Sequence, residues 1–488
     1  MRLLAACVLC AGLGFGAEDG GVGAITAALR AGNFQEAARL AAAARQASPK
    51  DTRVLVLEGM ALSGLHRESE ALAALDRALA LSPDYVPALE AAAEIEYRTG
   101  RPQAEPHLER LVRLRPGEET AHAMLGALGW KRGDCAAAVR HFGLAPKAIA
   151  GQADALREYG ACLVKVKRPG DAAGVFRQLT ALQPQDRRAR YSLAVALMEA
   201  GSVPEAIAAL EPLTSGAAPD PTALELASAA EEARGDTPRA VALLRQAVLL
   251  DPRNQNLYLD FASLAFVHQS FQVGIDMIGA GLSQLPDSAA LHLARGVLYV
   301  QTAEYAKADA DFDQAERLDP ARALGPVARG LSQIQQNNLD QALVTVRAQI
   351  RANAKDPFLY YVLAELLSRQ GAQTGSPEFQ QALDAANEAV RLKPGFVLAR
   401  DVLSKLYLQA GEVDKAIQQC RLALRDDPSD EMALYRLARA LQASGRPEAA
   451  AEVPGVLKRF QAARQEAQRR QARESQYRLV EAAPANPR

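Results

Sequence analysis

Apolar residues in this chain recur at helical spacing, in pairs of short runs. Between Ala289 and Gln301, Leu291, Ala294 and Leu298 fall at i, i+3 and i+7; between Tyr305 and Leu318, Ala308, Phe312 and Ala315 fall at i, i+4 and i+7. Each set puts an apolar stripe on one face of a helix, so the spacing predicts two amphipathic helices in tandem. Asp287 and Ser288 offer a cap before the first run, and Thr302 to Glu304 separates the two. Asp319-Pro320 closes the second, because proline has no amide with which to continue a helix. Small residues at Gly296, Ala308 and Ala315 let the two backbones approach, while Tyr299 and Phe312 can fill the space between hairpins.

The same hairpin returns along almost the whole sequence. A small residue marks it at Ala37, Ala71, Ala104, Ala138, Ala172, Ala206, Ala240, Gly274, Ala308, Ala342, Ala382, Ala416 and Ala450, and ten of these twelve intervals are 34 residues. Pro49, Pro83, Pro116, Pro184, Pro252, Pro286, Pro320, Pro394 and Pro428 each stand twelve residues after a rung. Self-similarity at this period is the mark of stacked helical hairpins, each burying its apolar face on its neighbours.

These residues make the chain resemble the tetratricopeptide repeat (TPR) family, whose unit is a helix, a tight turn and a second helix in about 34 residues. The family pattern has a small residue at the eighth position, aromatic or large apolar residues at the eleventh and twenty-fourth, Ala at the twentieth and twenty-seventh, and Pro at the thirty-second. The sequence matches at Gly59, Ala71, Leu75, Ala78 and Pro83; at Gly126, Ala138, Phe142 and Ala145; at Gly160, Ala172, Phe176 and Pro184; and at Gly296, Tyr299, Ala308, Phe312, Ala315 and Pro320. The resemblance runs from about Glu18 to Arg464 and implies an all-α fold, a right-handed superhelical solenoid of about thirteen repeats occupying residues 18–457. Pro102, Pro106 and Pro212 call the helices around them into question. Pro454 interrupts the last repeat, and extra residues near Thr374 to Phe379 lengthen one turn.

Composition fits an extended array. Hydrophobic residues are 49% of the chain and aromatics only 5%, as expected for a core built mostly of Ala and Leu. Lys plus Arg is 56 against 57 Asp plus Glu, a net charge of -1, which gives no general attraction to nucleic acid or anionic lipid.

Met1-Arg2 followed by the apolar run Leu3 to Phe15, with small residues before Glu18-Asp19, reads as a signal peptide over residues 1–17. The run is too short to span a bilayer, and Leu4-Ala5-Ala6-Cys7 lies too near the start for a lipoprotein box. The expected location is therefore exported, periplasmic or secreted. Cys7 and Cys10 leave with that segment; Cys135, Cys162 and Cys420 remain, with no CxxC spacing. Cys420 stands at a core position. Cys135 begins the second helix of one repeat and Cys162 lies late in the first helix of the next, which makes them a candidate disulfide in an exported protein.

Catalytic constellations are missing from the sequence. His66 and His268 fall in or beside turns, and His107, His122, His141 and His292 are scattered singly on helices, with no HExxH. The glycines near Gly12-Leu13-Gly14 and Gly20-Gly21-Val22-Gly23 follow no strand, so no phosphate loop is expected. No metal site or cofactor is expected either.

After Pro454, seven basic residues (Lys458, Arg459, Arg464, Arg469, Arg470, Arg473, Arg478) stand against Glu466 and Glu474. Residues 458–480 read as a basic polar helix capping the stack or, alternatively, as an arm toward an acidic partner or surface; 481–488 read as a disordered tail. The resemblance implies a non-enzymatic scaffold that binds a protein or peptide in the groove lined by the first helices. There the second, fifth, ninth and twelfth positions include Trp130, Arg157, Tyr191, Met198, Tyr361, Glu365, Tyr435 and Arg439. The alternative is an accessory subunit of an envelope polysaccharide or glycosyltransferase machine.

Overall fold

A computed structural model describes residues 20–216, 218–320, 324–336 and 338–476. The expected signal peptide and the expected disordered tail lie outside these residues, as do the last residues of the basic segment. The described residues form 27 α-helices and no strand. They fall into two compact units, Met1–Ala218 and Pro219–Arg488. The N-terminal unit contains six hairpins, whose first helices are Gly20–Arg30, Thr52–Gly64, Val86–Thr99, Glu119–Lys131, Ala153–Lys165 and Arg187–Glu199. The C-terminal unit contains seven, whose first helices are Pro221–Arg234, Gln255–Val267, Ala289–Gln301, Leu324–Gln335, Pro357–Arg369, Val397–Gln409 and Glu431–Ala443.

The rungs of the alanine ladder explain the packing. Every rung from Ala37 to Ala416 is buried. Small residues at the eighth position of the first helix meet a large one at the twenty-fourth. A methyl group on Gly59, Gly126, Gly160 or Gly296 would stand only 2.7, 2.7, 2.6 or 2.5 Å from Leu75, Phe142, Phe176 or Phe312. Phe142 and Phe312 are fully buried, and truncating such a ring to Ala typically costs about 3–5 kcal/mol.

Two further positions fix the hairpin, and neither was read from the sequence. The fifteenth residue, in the tight turn, has positive φ in every repeat where it is described. It is Gly at 32, 100, 133, 201, 235, 371, 411 and 445, but His66, Lys167, Gln269 and Ala303 adopt the same left-handed conformation. For a residue with a Cβ that conformation costs roughly 1–2 kcal/mol, held in place by the packed helices on either side. The fourth residue in several repeats donates back to a carbonyl six residues upstream. His122 Nε2 reaches Pro116 O at 3.0 Å, Tyr258 Oη reaches Pro252 O at 2.9 Å, His292 Nε2 reaches Pro286 O at 3.2 Å, and Arg190 and Arg400 do the same to Pro184 and Pro394. These bonds satisfy carbonyls in the turn that joins one hairpin to the next.

The structure departs from the sequence expectations at several places. The second helix after Glu119–Lys131 stops at Phe142, so Ala145 lies in a turn rather than in the helix. Pro146 pushes the residue before it out of helical backbone, and a one-turn helix Pro146–Ile149 follows, whose amides at Lys147 and Ala148 donate to Glu119. Pro106 sits in the first turn of Ala104–Leu114, where no amide is required. Pro212 and Pro454 are carried inside the helices Val203–Thr214 and Pro447–Gln476. The second of these runs unbroken for 30 residues, so the last repeat and the basic segment share one helix. Its buried face is shifted by one residue: Ala449, Val453 and Val456 are buried and the rung Ala450 is exposed.

Candidate partner-binding face

In most repeats a first helix packs on its own second helix and on the first helix of the next repeat, whereas second helices of neighbouring repeats approach one another far less. The first helices therefore line the shorter, inner side of the stack. Residues at equivalent positions form rows across them.

The eight residues expected in the groove divide sharply. Trp130 and Met198 are half-buried against the core around Phe142 and Phe176. Arg157 is engaged by Asp154 at 2.8 Å and Asp186 at 3.1 Å. Tyr191 is half-buried. Tyr361 is half-buried with its ring 5.4 Å from Phe396, and its hydroxyl is pushed up by burial. Glu365 pairs with Arg369 at 2.6 Å. Tyr435 and Arg439 are exposed, with the guanidinium 5.9 Å from the ring centroid.

The structure brings forward residues that sequence reasoning passed over. Phe358, Leu398 and Met432 occupy the second position of three successive first helices and remain 38%, 50% and 48% exposed, while Tyr435 is 42% exposed. Exposed large apolar side chains are ordinary one at a time; a row with one per repeat is not. Reading the second position of each repeat for size, rather than for aromatic or charged character, would have found it. The row is anchored by aromatic contacts. Phe358 and Phe396 rings are 4.7 Å apart, with Lys393 Nζ 4.8 and 5.0 Å from their centroids, and Tyr435 lies 5.9 Å from Phe460 at the other end. Behind the row, Asp401 on Val397–Gln409 meets Arg436 on Glu431–Ala443 at 3.1 Å, and burial pushes the Asp401 carboxyl up to about 7 against the pull of that guanidinium.

Contrary to the expectation of lone histidines, His122 and His141 meet Nδ1 to Nδ1 at 3.0 Å. His122 gives its Nε2 proton to Pro116, so its Nδ1 accepts from His141, which burial and His122 hold below the usual imidazole range. His107 pairs with buried Glu96 at 2.8 Å and is raised by that bond. Cys135 and Cys162 are joined as a disulfide with Cα atoms 4.8 Å apart, stitching the shortened second helix to the next hairpin. Cys420 is fully buried, its thiol pushed up to about 11. Among the described residues no three His, Cys, Asp or Glu side chains gather to hold a metal ion, and no helix is long and apolar enough to cross a membrane.

Helical hairpins of this length, with this turn and this small-to-large packing, define an α-helical repeat array. Sequence models of the tetratricopeptide repeat match residues 22–86, 163–221, 375–431 and 402–453, and another matches residues 289–322. The chain belongs to the tetratricopeptide repeat family. Among solved structures, it is similar to yeast Tom70 (16% identity, TM-score 0.41, covering 91% of this chain and 95% of that one). It is also similar to Cut9 with Hcn1 in an APC/C hetero-tetramer (12%, 0.38, 92% and 95%) and to a tetratricopeptide repeat protein of Parabacteroides merdae (15%, 0.40, 59% and 98%). No curated protein matches the chain.

Proposed function

We propose that the protein is a non-enzymatic, exported scaffold that holds a segment of a partner protein on the face lined by its first helices. The observation that carries this reading is the row Phe358, Leu398, Met432 and Tyr435, apolar surface that the fold itself does not bury. Surface of that kind, with an aromatic and an Arg at its end, is where binding energy concentrates in protein interfaces. Export is supported by the apolar run Leu3 to Phe15 behind Arg2 and by the Cys135–Cys162 bond, since disulfides persist in oxidising compartments.

A photo-crosslinking amino acid in place of Tyr435 tests the reading. In the exported fraction it is expected to capture a protein, whereas the same group in place of Leu249, 82% exposed on the second helix Thr237–Leu250, is expected not to. Capture only from position 249, or of glycan instead of protein, contradicts it. N-terminal sequencing checks export separately: the mature chain is expected to begin near Ala17 or Glu18, and a cytoplasmic chain still starting at Met1 contradicts it.

A further inference from the structure

The last three hairpins carry more than an apolar row. Their ninth positions on the first helices are Glu365, Lys405 and Arg439. Glu365 faces Arg369 and Asp401 faces Arg436, so both of these inner-face carboxylates already stand against a cation of the protein. Among the described residues Lys405 meets no carboxylate in an ion pair, and Arg439 lies over the face of Tyr435. Next to Tyr435 stands Phe460 of the helix Pro447–Gln476, and Arg464, one turn further on the same side, is exposed. Lys405 and Arg439 thus lie along the apolar row, and Arg464 continues the basic character onto the C-terminal half of the helix Pro447–Gln476.

The spacing of the row constrains what can lie on it. First helices of adjacent repeats are in contact, which sets their axes about 8–10 Å apart. A peptide in the extended polyproline II conformation advances about 3.1 Å per residue with three residues per turn, so every third side chain falls on the next helix and on the same face. Crossing the three helices therefore calls for large apolar residues three apart, with the two residues between them free to face the cations and solvent.

Resting on the partner-binding reading above, we infer that Phe358, Leu398, Met432 and Tyr435, with Lys405, Arg439 and Arg464, form a docking strip for an extended acidic segment of a partner protein whose apolar side chains stand at every third position. The chain's net charge of -1 provides no long-range pull, so these few cations act within the Debye length, about 8 Å at physiological salt, and binding weakens as salt rises.

The test is fluorescence anisotropy of the full chain with a labelled peptide Glu-Leu-Glu-Glu-Leu-Glu-Glu-Leu-Glu-Glu. Two comparison peptides replace every Glu by Lys or every Leu by Ser. The acidic leucine peptide is expected to bind at least about tenfold more tightly than either. Leu398→Ser with Met432→Ser and Tyr435→Ala is expected to lose about tenfold or more of that affinity, and Lys405→Glu with Arg439→Glu about fivefold or more. All five side chains are exposed or half-exposed, so the helical circular dichroism is expected to stay unchanged. Equal binding of the lysine peptide makes the strip charge-blind, and unchanged affinity in the triple variant places the peptide elsewhere; either result overturns the inference. So does a native chain that ignores the acidic peptide, and protein capture from position 435 in that case leaves the broader reading standing.

Discussion

The hairpins between residues 119 and 198 and those between 357 and 443 are built on one plan and finished in opposite ways. In the earlier stretch the groove-side residues turn inward or to each other. Trp130 and Met198 pack on the core, Arg157 is pinned between Asp154 and Asp186, and a disulfide ties two hairpins together. In the later stretch the second position presents exposed apolar Phe358, Leu398 and Met432, where the earlier stretch has the exposed but polar Thr120, Asp154 and Arg188. Both stretches keep a small residue at the eighth position (Gly126 and Gly160; Ala364, Ser404 and Ala438), a left-handed turn at the fifteenth and a buried alanine at the twentieth. At the twenty-fourth, Phe142 and Phe176 give way to Cys420, so the hairpin depends on its eighth, fifteenth and twentieth positions. The second, fifth and ninth are free to diverge, and they decide what the surface does.

The largest expected difference follows from the disulfide. Cys135→Ser with Cys162→Ser opens a loop with a sequence separation of 27 and is expected to destabilise the earlier hairpins by about 3–4 kcal/mol. Because each repeat contacts only its neighbours, hydrogen exchange is expected to quicken around 119–182 and stay unchanged around 357–443. A uniform change would mean that the two stretches are not separable. A smaller effect separates the packing positions from the open ones. Gly160→Ala, whose methyl would stand 2.6 Å from Phe176, is expected to cost about 1–3 kcal/mol. Gly174→Ala, in open space on the partner helix Pro169–Leu182, is expected to stabilise by up to about 1 kcal/mol. Denaturant midpoints of the two variants check the opposite signs.

The two stretches also respond oppositely to pH. His141 is held below its unfolded value of 6.5, so the neutral form belongs to the folded state and stability is lost as pH falls through and below that value. Asp401 is raised from 3.8 to about 7, so the folded state holds a proton that the unfolded chain has released, and stability is lost as pH rises across that window. Between pH 5 and pH 7, hydrogen exchange is expected to show the earlier hairpins gaining protection and the later ones losing it, after correction for intrinsic exchange. His141→Gln and Asp401→Asn are expected to flatten the respective trends.

The period, the helices and the buried ladder were legible because each repeat applies the same residue types at the same spacing. Nine proline rungs and twelve buried rungs leave little room for another fold. What escaped was local. The left-handed fifteenth position is hidden where His66, Lys167, Gln269 and Ala303 replace glycine. The shortened helix at Phe142 depends on Pro146 acting on the residue before it. In the last helix the buried face is shifted, so that Ala449 rather than Ala450 turns inward. For the candidate site, the rows were legible but the burial was not. Whether Tyr361 is covered depends on Phe396 arriving from a turn in another repeat, and no spacing rule in the sequence reports that encounter.

The division between a closed stretch and an open one is tested most directly by hydrogen exchange of the full chain with and without the acidic leucine peptide at saturating concentration. New protection is expected on the first helices Pro357–Arg369, Val397–Gln409 and Glu431–Ala443, with none on Glu119–Lys131, Ala153–Lys165 or Arg187–Glu199. Protection on the earlier helices, or spread evenly over both stretches, would contradict the account.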